Sequence, residues 1–103
     1  MRVIVTPRAE ADIDHHYQWG VGRFGANTAN ATFARVRQFI EVSLESHPRA
    51  GKLLPHPNLY ESWIPRTPFV VFYRIDDDAD TVWVLALFHT AQDRSDFDPD
   101  QAV

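Results

Sequence analysis

The chain has no cysteine, and that absence removes disulfides, zinc–thiolate centres, iron–sulfur clusters and thiol nucleophiles together. A secreted domain of 103 residues would normally carry disulfide staples, so a reducing cytoplasm is the expected compartment. Lysine is almost missing too. Nine of the ten basic residues are arginine, whose planar fork suits bidentate contacts to carboxylate or phosphate better than diffuse attraction. No apolar run approaches the ~20 residues of a membrane span, and Met1 to Pro7 is too short for a signal peptide. There is no glycine-rich phosphate loop, and Ser43, Ser46, Ser62 and Ser95 lack the elbow motif of a serine nucleophile. No cofactor is expected. What the chain does have is apolar surface: 45% hydrophobic and 13% aromatic residues, enough for one modest core and too much for a disordered segment.

The formal net charge is −4, unevenly divided. Residues 1–52 hold seven basic and five acidic residues, and residues 53–103 hold three basic and nine acidic ones. An acidic balance disfavours neutralising a run of phosphates, so no non-specific nucleic-acid binding and no membrane partner are expected. Arg66, Arg74 and Arg94 stand as isolated cations in the acidic half.

Arg2-Val3-Ile4-Val5 reads as a short strand, and Thr6-Pro7 as a helix start with Thr6 as N-cap and Pro7 in the first turn. Ala9, Ile13, Tyr17 and Gly20 form the stripe of an amphipathic helix, with a break at Gly20, Gly22 and Gly25. A second helix is expected from near Ala26, with the stripe Ala29, Phe33, Val36, Ile40 and Leu44, ending at His47-Pro48. Pro48 to Pro57 reads as a loop. Tyr60–Ile64, Phe69–Ile75 and Thr81–Phe88 are rich in aromatic and β-branched residues and read as strands joined by short loops. The predicted fold is α+β: an N-terminal strand, a two-helix hairpin, then a mainly antiparallel sheet of about four strands in total. Residues 1–95 form the expected single domain and residues 96–103 a polar tail, and the polar stretch from Ala91 to Val103 is expected to fray.

Strand alternation leaves both sheet faces largely apolar. In the last strand Trp83, Leu85 and Leu87 alternate with Val82, Val84, Ala86 and Phe88. Two helices cover one face only, so the other calls for a partner chain, or for the segment 53–59 and the tail to fold across it.

The chemistry points to interaction more than catalysis. The Asp76–Asp80 cluster lacks the Gly and Glu of a calcium loop, since those places hold Thr81 and Leu87, and Asp is at home in turns. His15 and His16 are adjacent, so on a helix they diverge and make no metal pair. His89 ends an apolar strand, either as a general acid/base with Arg74 and Arg66 as phosphate clamps, or as a hydrogen-bonded strand terminus.

Thr6-Pro7-x-Ala9-x-x-Asp12-Ile13 with Tyr17 and Trp19 resembles the opening of ParE-type toxins of the ParE/RelE superfamily. The likeness continues through Leu44-x-x-x-Pro48-x-x-Gly51 and Phe69-Val70-Val71-Phe72-Tyr73-Arg74-Ile75, and closes on Val82-x-Val84-Leu85-x-Leu87-Phe88-His89. It spans roughly residues 3–94. It implies a helical hairpin on an antiparallel sheet, the toxin role in a type II toxin–antitoxin pair, neutralisation by a cognate antitoxin, and inhibition of DNA gyrase by binding. The alternatives are a RelE-like ribosome-dependent mRNA endoribonuclease and a non-toxic, degenerate binding module. Val70 stands where a RelE-like arginine would be expected, and Thr90-Ala91-Gln92 lacks the basic run. The candidate target contacts are Arg74, His89 and Arg94, and the candidate antitoxin contacts are Trp63, Phe72 and Trp83.

Overall fold

Thr6 starts the first helix as its side chain requires. Its hydroxyl oxygen accepts the Ala9 N–H at 3.2 Å, and Pro7 occupies the first turn, where an N–H would have no partner. The computed structural model, which describes residues 1–101, orders the chain as β1 (Arg2–Val5), α1 (Pro7–Phe24), α2 (Ala26–Gln38), β2 (Lys52–Leu53), β3 (Leu59–Trp63), β4 (Phe69–Asp76) and β5 (Thr81–His89). The sheet runs β1-β5-β4-β3-β2, with β1 parallel to β5 and the other pairs antiparallel. This is the predicted α+β fold with one strand more than the four expected. The addition is β2, two residues paired with Tyr60 and Glu61 inside the stretch read as loop. Two residues are too few to carry an alternation signal.

Helix α1 does not break at Gly20 or Gly22; it runs to Phe24 and turns at Gly25, whose φ of 90° favours glycine. Helix α2 passes through a π turn at Phe39–Ser43 and a last turn at Leu44–Ser46 before His47-Pro48. Its stripe Ala29, Phe33, Val36, Ile40 and Leu44 is buried throughout. The hairpin packs on one sheet face, joining Ile13, Phe33, Val36 and Ile40 to Phe69, Val71, Tyr73, Ile75, Val82, Val84 and Leu87. Tyr73 donates to the Pro48 carbonyl at 2.7 Å, tying the loop after α2 to the core, and Gly51 passes so close to that hydroxyl that a Cβ would collide with it.

Strict alternation in β5 fails at one place. Phe72 pairs with Ala86 while Tyr73 pairs with Val84, so Leu85 is an extra residue, a β-bulge. Leu87 therefore joins Val82 and Val84 on the helix side. Ala86 and Phe88 join Trp83 and Leu85 on the outer side. The expected division of this strand is corrected accordingly; a bulge inside a continuous apolar run leaves no mark in the pattern.

The residues that look like an N-terminal motif service this bulge and the strand edge beyond it. The Thr6 N–H and hydroxyl both donate to the Val84 carbonyl, at 3.0 and 2.8 Å. Strand β1 ends at the Val5–Val84 pair, leaving the edge of β5 at Leu87 without a neighbouring strand. There Asp12 Oδ2 accepts the Leu87 N–H at 3.0 Å and His16 Nε2 donates to the Leu87 carbonyl at 3.1 Å. One turn of helix thus stands in for a strand, since buried backbone groups need partners.

The chain past β5 folds across the sheet. Phe97 packs edge-on against Phe72 and Phe88, at centroid separations of 5.0 and 5.6 Å, and Pro99 is buried. The expected fraying is not met over 91–101, because the polar composition of this stretch hid one aromatic anchor. Residues 102 and 103 lie outside the described residues.

Candidate functional site

Five of the six candidate residues share the outer face. Arg74 pairs across strands with Trp83 and Leu59, Phe72 with Glu61 and Ala86, and Trp63 with Val70, and directly paired residues point to the same side. Trp63 is 60% exposed, Trp83 half-buried and Phe72 buried beneath Phe97. The three candidate antitoxin contacts therefore lie on one surface, at three depths. A hollow at its end is lined by Asn58, Arg74, Asp76, Asp77, Trp83 and Leu85.

Arg74 and Arg94 are not isolated cations. Arg74 reaches Asp100 at 3.3 Å, and Arg94 lies 3.6 Å from Glu61. Arg74 Nε is buried without a hydrogen-bond partner among the described residues. Arg8 of α1 leans over the edge of the same face, 5.6 Å from both the Phe88 and Phe97 ring centres. The rest of the surroundings is acidic: Asp93, Asp96, Asp98 and Asp100 on the crossing segment and Asp76–Asp78 with Asp80 at the β4–β5 turn. That turn is an ordinary Asp turn, with Asp76 accepting the Ala79 N–H and Asp80 at φ 51°.

His89 is elsewhere. It pairs with Phe69, five positions along β4 from Arg74, or about 17 Å at strand rise. Its ring packs on the helix side, 5.6 Å from Phe69 and 6.5 Å from Trp19. Nδ1 accepts the Ala91 N–H at 3.1 Å, so in the neutral ring the proton sits on Nε2. This is the hydrogen-bonded strand terminus of the two readings above. Arg74, His89 and Arg94 do not converge, so these three have no single reacting atom to share.

Around His89 lies a feature the sequence reading did not single out. His16, Trp19, Phe24, Phe33, Phe69 and His89, with Gly20 and Ala29, line a mostly apolar cleft of about 400 Å³ at the turn of the helical hairpin. Trp19 and Phe24 are 52% and 59% exposed, and Arg23 sits over both rings at 5.7 and 5.8 Å. Burial holds the His16 imidazole below its usual pKa, against the opposing pull of the Leu87 carbonyl. Two signals were available. Trp19 falls off the Ala9–Gly20 stripe, and no carboxylate occurs between Asp14 and Glu41.

Residues 3–94 match the family described as the ParE toxin of the type II toxin–antitoxin system parDE. Among curated proteins, none matches significantly. Among solved structures, the chain resembles the chromosomal ParDE toxin–antitoxin system of P. aeruginosa at a TM-score of 0.67 and 22% identity, covering 86% of this chain and 95% of that one. It also resembles the RelBE2 toxin–antitoxin complex of Mycobacterium tuberculosis, at a TM-score of 0.61 and 25% identity, covering 85% and 95%. The intact E. coli RelBE toxin–antitoxin complex follows at 0.57 and 16%, covering 88% and 98%. With the family match spanning most of its length, and the fold shared with these structures, the chain belongs to the ParE toxin family of type II toxin–antitoxin systems.

Proposed function

We propose that this toxin acts in the cytoplasm by binding DNA gyrase rather than by cleaving RNA, and that a cognate antitoxin neutralises it by covering the outer sheet face through Trp63 and Trp83, with Phe72 supporting that surface from beneath Phe97. The observation that carries the binding reading is the separation of His89 from Arg74 and Arg94. RNA cleavage at one phosphate asks for an acid/base group and cations around a single reacting atom, and here Arg74 stands about 17 Å from His89 along the strands and, like Arg94, on the opposite side of the sheet. Inhibition by binding has no such requirement, and the three residues then serve as separate contacts to a large target. The antitoxin reading draws on the neighbouring structures, which are toxin–antitoxin complexes, and on an exposed Trp63 beside a half-buried Trp83.

Induction of the chain alone, followed by transcript-end mapping and a supercoiling assay with purified gyrase, tests this. Growth arrest with filamentation, loss of supercoiling and unchanged transcript ends are expected. Cleavage of messages within minutes would establish the ribonuclease alternative. Normal growth at confirmed expression would establish the non-toxic one.

A further inference from the structure

We propose that the cleft between α1, α2 and the ends of β4 and β5 docks an acidic protein segment that inserts one large apolar side chain. The segment belongs to the protein on which the toxin acts, a clause that rests on the reading above. The walls provide the anchor pocket. Trp19, Phe24, Phe33 and Phe69 enclose about 400 Å³, and Gly20 and Ala29 leave the room. Trp19 and Phe24 remain more than half exposed although Ala9, Ile13 and Gly20 of α1's stripe are buried, and paired exposed aromatics of this kind mark interaction sites.

The surroundings choose the sign of the partner. From His15 to Ile40 the chain has no carboxylate and three arginines. Arg37 is engaged by Glu10 at 3.0 Å, whereas Arg23 lies over the two exposed rings at the mouth. His15 and His16 flank Trp19, and exposed Arg66 occupies the turn that brings Pro68 to the wall. Helix α2 adds the same polarity: it starts beside the cleft at Gly25 with no side-chain cap and no acid in its first turn, and Thr28 lines the wall. His89 Nε2, the protonated nitrogen of the neutral ring, supplies one directed donor. A basic segment would meet Arg23 at the mouth and Arg66 at the turn, and an acidic one would find complementary charge there.

The test is an NMR titration of the full chain with three short capped peptides, Glu-Asp-Leu-Asp-Glu, Glu-Asp-Ala-Asp-Glu and Lys-Lys-Leu-Lys-Lys, and with a single-stranded oligothymidine. The leucine-anchored acidic peptide should shift the Trp19 indole and the Phe24, Thr28 and His89 amides, more weakly at high salt. The alanine peptide should bind about tenfold more weakly, the effect of losing one buried leucine. Equal binding of the lysine peptide, preference for the oligonucleotide, shifts confined to the outer face, or no shift at Trp19 would each overturn the proposal. For the source of the segment, Arg23→Glu alters an exposed side chain, so the fold should survive, as circular dichroism checks. That variant should lose growth arrest yet still co-purify with the antitoxin; wild-type arrest, or loss of the antitoxin, would overturn that assignment. If the wild-type chain itself arrests nothing, the toxic reading falls and takes the assignment to the target with it. The peptide titration still decides the docking chemistry.

Discussion

The outer sheet face and the hairpin cleft both carry clustered aromatics, yet the first is closed over Phe72 and Phe88, leaving its Trp63 end exposed, and the second is open. On the outer face Phe72 and Phe88 are covered by Phe97, on a segment long enough to cross the sheet. At the cleft, Trp19 and Phe24 have no such segment above them among the described residues. The electrostatic settings are opposite as well, with aspartates around the outer face and arginine with histidine around the cleft. Apolar content alone therefore does not separate core from interface. What separates them is whether the chain can reach back over its own surface, and the bordering charge then selects who else can.

The largest test of that contrast is paired truncation. Phe72→Ala empties a buried, three-ring cluster and should lower unfolding free energy by about 3–5 kcal/mol. Phe24→Ala, at a side chain already 59% exposed, should cost less than about 1 kcal/mol. Denaturant melts of both variants check this, and similar losses would erase the distinction between closed and open faces.

A smaller effect is expected at the seam between α1 and β5. Asp12→Ala strands the Leu87 N–H at an edge no strand covers and should cost about 2 kcal/mol, whereas Asp12→Asn keeps an acceptor and should recover much of it. Amide exchange at Leu87 reads the result locally. Equal protection in wild type and Asp12→Ala would show that the helix does not serve that edge.

The smallest is a pH effect on the cleft side alone. Because burial lowers the His16 pKa in the folded chain, the unfolded chain takes up this proton first as pH falls. The stability contributed by neutral His16 is complete above its unfolded value near 6.5, and is lost as pH drops below that value toward the folded one. Melting between pH 7.5 and 5 should show the decline, and His16→Gln, which keeps a donor for the Leu87 carbonyl, should flatten it. At the opposite extreme Tyr73, raised to about 12 mainly by burial, should lose stability as pH climbs from 10 toward 12.

Helix starts, the two apolar stripes and four of the five strands were legible because each rests on local periodicity or on a cap. The Thr6-Pro7 start and the Ala29–Leu44 stripe are examples. The β5 bulge was not, since Leu85, Ala86, Leu87 and Phe88 are apolar whichever way they point. The crossing of the tail stood as one of two alternatives for the second face, but its anchor, one phenylalanine among aspartates, was not legible. The site was half legible. Trp63, Phe72 and Trp83 do share a face, because β-strand parity is readable on β3 and β4. Arg74 and His89 were grouped by their nearness to a sheet end. Register places them at different ends, and register depends on which strands pair.

The three tryptophans make the central claim measurable in one spectrum, with Trp63 and Trp83 on the outer face and Trp19 in the cleft. The cognate antitoxin would be added to the labelled toxin while the three indole N–H resonances are followed. An antitoxin that docks on the outer face and leaves the cleft free predicts that Trp63 and Trp83 shift and Trp19 stays in place. A shift of Trp19 with Trp63 and Trp83 unmoved would contradict it.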